Sequence, residues 1–209
     1  MLWIANFIFI ILALIVAVSV AWRFACRKWV LPWPSWLAFM MENPYMLVVN
    51  HSSDVVRRLP LKDGLRVLEV GCGSGRILVP IARKIIPRGK AFGLDIQPKM
   101  LSKAQRRSRL AGVDIFLQNC DLMSGSIAAE DLDLVVLVTV IGEFPDRNLA
   151  LREISSKLKP GGILSITEVI PDPCYLPRSV IKGELGSLGF EVCDEFVKML
   201  SYTVNFKKL

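Results

Sequence analysis

Residues 66–76 read RVLEVGCGSGR. Val67, Leu68 and Val70 form a short apolar run that ends at glycines, the mark of a buried strand. Gly71, Gly73 and Gly75 then occupy alternate positions. Glycine lets a backbone turn sharply and approach a ligand closely. Beyond them, Ile77, Leu78, Ile81, Ala82, Ile85 and Ile86 recur at helical spacing as far as Pro87. A strand, a glycine loop and a helix therefore follow one another without a gap. The start of that helix supplies unpaired N–H groups. In open α/β sheets, ligands bind beyond the carboxyl ends of strands.

The same alternation continues downstream. Residues 90–94 (KAFGL) read as a second strand ending at Asp95, and residues 98–111 as a helix closed by Gly112. Residues 113–118 read as a third strand. Residues 132–140 are the most apolar run of the globular part, which predicts the central strand. Residues 146–158 read as a helix, 163–167 as a fifth strand and 178–188 as a final helix. Residues 190–196 and 200–207 read as a terminal antiparallel pair. Strands alternating with helices imply a sheet covered on both faces. The expected fold class is α/β: a Rossmann-like, mostly parallel, seven-stranded sheet with helices on both faces, preceded by one transmembrane helix. The boundaries are 1–22 for an anchor, 23–63 for a Trp-rich juxtamembrane and lead-in segment, and 64–209 for the α/β domain.

Two common nucleotide motifs fail at the glycine loop. A dinucleotide fingerprint counted from Gly71 needs a small residue at position 76, where Arg76 stands. No Gly-Lys-Ser/Thr follows, so a P-loop is excluded. What is present is E-x-G-x-G-x-G, from Glu69 to Gly75. Asp95 ends the second strand in GLDI, with Ile96 after it. Asp121 and Leu122 follow the third strand, and LKPGG (residues 158–162) precedes the fifth.

In order and spacing these elements resemble class I S-adenosylmethionine-dependent methyltransferases, over about residues 43–209. GEFPD, LKPGGILSITE, PDP and SYTVNFKK are similar to a bacterial and archaeal membrane-anchored subgroup with no assigned substrate. Cys120 departs from that subgroup's usual Gly. The resemblance implies S-adenosylmethionine as cofactor. It places Glu69, Gly71, Gly73 and Gly75 at the loop, Asp95 at the ribose, Ile96 among the cofactor-binding residues, and Asp121 and Leu122 at the adenine. A carboxylate suits a vicinal diol because its two oxygens both accept hydrogen bonds. The plain alternatives are that Glu69 caps the loop and that Asp121 is a turn residue.

Methyl transfer from a sulfonium is an in-line displacement, so the protein chiefly positions the reactants and excludes water. A base is needed only if the acceptor must lose a proton. Glu143, at the end of the predicted central strand, is the leading catalytic candidate. Its alternatives are holding the cofactor's amino group or a structural hydrogen bond. Glu168, Asp172 and Tyr175 follow, and Tyr202 and His51 are weaker. His51, in a Ser-rich stretch, reads as a capping or solvated residue.

The composition is 53% apolar with mean hydropathy +0.45, which excludes disorder. The excess is uneven. Residues 2–22 carry only two polar side chains, Asn6 and Ser19, and no charge. At about 1.5 Å per residue they would make a helix of roughly 32 Å, the thickness of a hydrocarbon core. A cleaved signal peptide would want basic residues before the apolar run. Here Arg23, Arg27 and Lys28 follow it, which predicts a retained single-pass anchor with the domain in the cytoplasm. Trp22, Trp29, Trp33 and Trp36, four of five tryptophans, cluster just beyond. They suit either the bilayer interface or a lid on the domain.

The formal net charge is +7. Beside an anchor it suits anionic headgroups, and no nucleic-acid motif accompanies it. Five widely spaced cysteines and one histidine give no convincing metal set. The expected partners are the lipid bilayer and a lipophilic small-molecule acceptor, with a protein acceptor less favoured. The contrasting possibility is a non-catalytic, membrane-tethered cofactor-binding or protein-interaction module.

Overall fold

The computed structural model describes residues 51–209 except 125, 126 and 171. It also describes ten positions between 3 and 21 (3, 6, 7, 9, 10, 11, 13, 14, 17 and 21), all helical and exposed. The rest of the predicted anchor, and residues 23–50 with the tryptophan cluster, lie outside the described residues. Among those described, no helix is long and apolar enough to cross a membrane.

The chain enters through α1 (Ser52–Arg57) and continues as β1 (Arg66–Val70), α2 (Leu78–Ile85), β2 (Lys90–Asp95), α3 (Pro98–Ala111) and β3 (Phe116–Asn119). Then come β4 (Leu132–Val138), α4 (Arg147–Lys157), β5 (Leu158–Val169), α5 (Arg178–Ser187), β6 (Phe190–Val197) and β7 (Ser201–Lys208). One sheet holds all seven strands in the order β3-β2-β1-β4-β5-β7-β6. The expected central strand, β4, is the middle one. β1 has parallel neighbours on both sides, β2 and β4. The chain winds outward from β1 to β3, then crosses back to β4. The switch point is thus the gap between the carboxyl ends of β1 and β4, where ligands bind in such sheets.

The sheet is mixed, where a mostly parallel one is expected from the sequence. β7 runs antiparallel to both β5 and β6. The reason is local: only residues 198–200 separate β6 from β7, and so short a link can make only a hairpin, whereas a parallel return needs a dozen residues or more.

Core formation follows the strand period of two. Leu134, Val136 and Val138 of β4 pack toward the face covered by α1 and α2, with Val67, Ile81 and Ile85. Val135 and Leu137 point to the other face, with Leu68, Leu151, Ile154 and Leu185.

Element boundaries shift where backbone geometry overrides the apolar pattern. The predicted third strand loses residues 113–115. Gly112 takes a left-handed conformation, and the Val113 N–H donates to the Ser108 carbonyl at 3.2 Å, so Val113 belongs to the cap of α3. The strand expected over 132–140 ends at Val138, because Thr139 adopts φ 55°. α2 starts at Leu78 because the glycine loop occupies the residues before it.

Leu137→Ala empties a fully buried site of the middle strand and should lower the unfolding free energy by about 2–5 kcal/mol. Leu110→Ala, on the exposed side of α3, should change it by less than about 0.5 kcal/mol. Urea denaturation followed by circular dichroism measures both. Equal effects would contradict the layered core.

Candidate functional site

The glycine loop leaves β1 at the switch point with Gly71, Gly73 and Gly75 all left-handed (φ 68°, 52° and 75°). Each glycine answers a different need. A Cβ at Gly71 would lie 2.6 Å from Val140 Cγ2, so that residue lets β1 and the β4 exit close together. A Cβ at Gly75 would press on Ala104 at 3.1 Å, so Gly75 lets α3 pack against the loop. A Cβ at Gly73 would meet nothing within 4 Å. That space is open.

Asp95 fastens this loop. Its Oδ2 accepts the Gly73 N–H at 2.8 Å and its Oδ1 accepts the Gln97 N–H at 2.8 Å. Asn119 Nδ2 donates to the Asp95 backbone carbonyl at 2.8 Å, so the end of β3 holds the residue in register. Burial raises the Asp95 carboxyl, while the two N–H groups pull it back down. Each oxygen keeps lone-pair capacity for a further donor, such as a hydroxyl. Ile96 is 51% exposed immediately beyond, an apolar surface at the rim.

Glu69 is buried beneath the loop. Burial lifts its carboxyl to about 8 against the pull of Arg76, and Asp95 adds repulsion. Its Oε2 is buried without a hydrogen-bond partner. The capping alternative therefore accounts for only part of this side chain. Asp121 does make a turn: its Oδ1 accepts the Met123 N–H at 3.0 Å. Leu122 is buried in the core, so its side chain contributes to packing there.

Across the switch point, Glu143 stands half-buried in a short 3-10 turn, Ile141–Glu143, at the exit of β4. Burial raises its carboxyl to about 8, with repulsion from Asp172 and Asp95. Glu168, near the end of β5, is almost completely buried. Burial holds it well above the usual carboxylate range, with Asp172 and Glu143 adding to the effect. Glu69, Asp95, Glu143, Glu168 and Asp172 thus converge on one edge of the sheet and oppose one another's ionisation. Such a site favours a cation. Among the described residues no group of His, Cys, Asp and Glu could hold a metal ion.

Sequence reasoning missed how the residues after β5 are held. Glu168 and Tyr202 are cross-strand partners on β5 and β7. The Leu176 N–H donates to Glu168 Oε2 at 3.2 Å, and the Tyr202 hydroxyl donates to the Leu176 carbonyl at 2.6 Å. Both sides of one residue are therefore clamped to the sheet. Tyr202, a weak base candidate from the sequence, is a clamp donor, and burial pushes its hydroxyl further above the ordinary range. The clamped segment reaches Gly142, where a Cβ would fall 1.8 Å from the Cys174 carbonyl oxygen. Only glycine fits beside Glu143. Thr139, with φ 55°, is a further feature no motif announces. For a β-branched residue this is strained, and such strain concentrates at functional sites. His51 caps α1 by accepting the Ser53 N–H at 3.2 Å.

Known proteins agree with this geometry. A methyltransferase-domain family matches residues 61–198, and the chain belongs to that family. A demethylmenaquinone methyltransferase of Lactobacillus johnsonii is 31% identical over 114 residues, 54% of this chain and 47% of that protein. A ubiquinone biosynthesis O-methyltransferase of Cereibacter sphaeroides is 27% identical over 138 residues, 66% of this chain and 54% of that protein. The chain spans about half the length of these curated relatives. In fold it is similar to a SAM-dependent methyltransferase from Aquifex aeolicus, with TM-score 0.75 and 19% identity, covering 85% of this chain and 100% of the other. It is also similar to magnesium protoporphyrin IX methyltransferase from Synechocystis PCC 6803 with bound SAM, with TM-score 0.67 and 17% identity, covering 91% and 97%. S-adenosylmethionine fits the residues present. Gly73 leaves room at the loop, Asp95 retains acceptor capacity for a diol, and the carboxylates suit a sulfonium and an ammonium.

Glu69 and Glu143 hold protons in the folded chain up to about pH 8, which an unfolded Glu releases near pH 4.3. Their contribution to stability is complete below the unfolded value and is lost as pH rises through about 8. The ion-paired Asp54 and Asp63 act in the opposite sense, only at acid pH. The melting temperature should therefore fall between about pH 5.5 and pH 9, and Glu69→Gln should flatten that fall. A melting temperature that rises over this range, in thermal scans, would contradict the assignment.

Proposed function

We propose that the protein transfers a methyl group from S-adenosylmethionine to a lipophilic small molecule held in or at a membrane. The observation that carries the first half is Asp95. It ties the glycine loop to the end of β2 while keeping acceptor capacity beside the open space at Gly73. When bound, the cofactor supplies an electrophilic methyl group on a cationic sulfonium. Gly71, Gly73 and Gly75 would let the backbone approach it, and Asp95 would accept hydrogen bonds from its ribose hydroxyls. Ile96 would offer an apolar rim, and Asp121, two residues past the end of β3, would serve the adenine. Glu69 and the neighbouring carboxylates offset the positive charge.

Glu143 is the residue we assign to proton transfer. Its carboxyl, lifted to about 8 by burial, holds a proton near neutral pH when no cation is beside it; a bound cation would lower it, and the carboxylate so formed would take the acceptor's proton. The clamped segment comes to backbone contact at Gly142, next to Glu143.

Three observations support a lipophilic acceptor. Residues 2–22 are uncharged and apolar. Trp3, Phe7, Phe9, Ile10 and Leu14 are all more than 60% exposed, which water disfavours and a hydrocarbon core accepts. The names of two relatives speak of menaquinone and ubiquinone chemistry. The arrangement that follows is a single-pass anchor over residues 2–22, with the domain on the cytoplasmic side of Arg23, Arg27 and Lys28.

Isothermal calorimetry on the full chain should detect binding of S-adenosylmethionine and of its demethylated product. Asp95→Ala should weaken it by roughly tenfold or more, the loss expected for a charge-assisted pair. Circular dichroism would confirm that the variant folds. Unchanged affinity would refute the ribose assignment. Radiolabelled methyl donor incubated with the full chain and a native membrane lipid extract should label the lipid phase. Label confined to the soluble extract would refute a lipophilic acceptor.

A further inference from the structure

The inference concerns which way the catalytic edge faces, and it rests on the membrane-anchored reading above. β7 begins with Ser201 opposite Val169, near the carboxyl end of β5. The turn between β6 and β7 therefore projects from the same edge of the sheet as the glycine loop, Asp95 and Glu143. That turn is tied to the strand end beside it. The Lys198 N–H donates to the Ser201 carbonyl at 2.8 Å, and the Ile170 N–H donates to the Leu200 carbonyl at 2.9 Å. Its apolar side chains are nevertheless unburied: Met199 is 86% exposed, Val197 56% and Ile170 40%. The amino edge of the sheet exposes Ile86 and Leu209 but sets them among charges. Lys90 starts β2 there, and the Arg88–Asp63 and Lys159–Asp133 ion pairs lie beside it.

α1 lies beside the apolar turn. Lys198 Nζ donates to Asp54 Oδ2 at 2.7 Å, level with the turn. Four residues later, Arg58 Nη1 donates to the Thr203 hydroxyl at 3.0 Å, and the Arg58 carbonyl accepts from Asn205 Nδ2 at 2.8 Å. Thr203 and Asn205 lie progressively deeper along β7. Following α1 forward therefore leads from the carboxyl edge down into the sheet. α1 therefore begins, at His51, on the carboxyl edge.

We propose that the β6–β7 turn, through Val197 and Met199 with Ile170 beside them, is a membrane-contact surface that rests on a phospholipid bilayer and holds the catalytic edge against it. Single apolar side chains on a protein surface need no explanation. Three of them together, on the catalytic edge and beside the start of α1, the described end of the domain nearest in sequence to the uncharged residues 2–22, fit the acyl boundary of a lipid leaflet. A lipophilic acceptor could then pass from the bilayer to Glu143 without crossing water. Lys198 beside them reaches back to Asp54, so the charge at the tip is paired and directed away from the apolar side chains.

The test is photo-crosslinking in the full chain. A benzophenone amino acid is placed singly at Met199, Val197 or Lys90, and each protein is inserted into vesicles of phosphatidylethanolamine and phosphatidylglycerol. After irradiation, mass spectrometry should find lipid adducts several-fold more abundant at positions 199 and 197 than at position 90. Vesicle-bound protein with equal adducts at all three positions would overturn the orientation while leaving the anchor standing. A protein–protein crosslink at 199 in place of lipid would assign the patch to a second copy and overturn the proposal. Release of the protein from the vesicles by alkaline carbonate would overturn both this proposal and the anchor.

Discussion

A buried carboxylate at the switch point organises this protein. Asp95 accepts N–H groups from Gly73 and Gln97 at 2.8 Å each. Those two bonds join the exit of β1 to the exit of β2. A left-handed glycine loop has few intrinsic preferences, since glycine visits many conformations at similar cost. Hydrogen bonds to an ionised oxygen are stronger than neutral ones and fix one arrangement. With the loop fixed, Gly75 can receive Ala104 of α3 and Gly71 can receive Val140. Both helix packing and the approach of β4 depend on that arrangement.

The same edge gathers four further carboxylates, and their mutual repulsion is part of the design of the site. Glu69 and Glu143 are both pushed to about 8, mainly by burial. A low-dielectric pocket of reluctant acids is unfavourable to itself and favourable to a cation. Binding a sulfonium and an ammonium there would release protons and relieve the repulsion. The Glu168–Tyr202 clamp on Leu176 adds rigidity on the far side, and Gly142 lets the clamped segment come to backbone contact beside Glu143.

The hairpin that makes the sheet mixed also carries Val197 and Met199 to the catalytic edge. α1 meets that hairpin at Lys198 and runs inward from it.

Much of the fold was legible in the sequence because its signals are local. The apolar strand at 66–70, the alternate glycines and the helical spacing from Ile77 each follow from neighbouring residues. Strand ends were less legible, because Gly112 and Thr139 set boundaries through backbone angles that apolar patterning does not encode. Glu69, Asp95 and Glu143 could be named from their places after strands. Their elevated proton affinities could not, since those arise from burial among residues far apart in the chain. Glu168 and Tyr202 carried no motif as a pair. Thirty-four positions separate them, and only antiparallel pairing of β5 with β7 makes them neighbours. By itself, then, the sequence determined the alternating elements, the glycine loop and the uncharged segment at residues 2–22, because these depend on local geometry and composition. The tertiary structure alone decided which carboxylates confront one another and which edge carries the apolar turn, because both depend on the order in which strands pair.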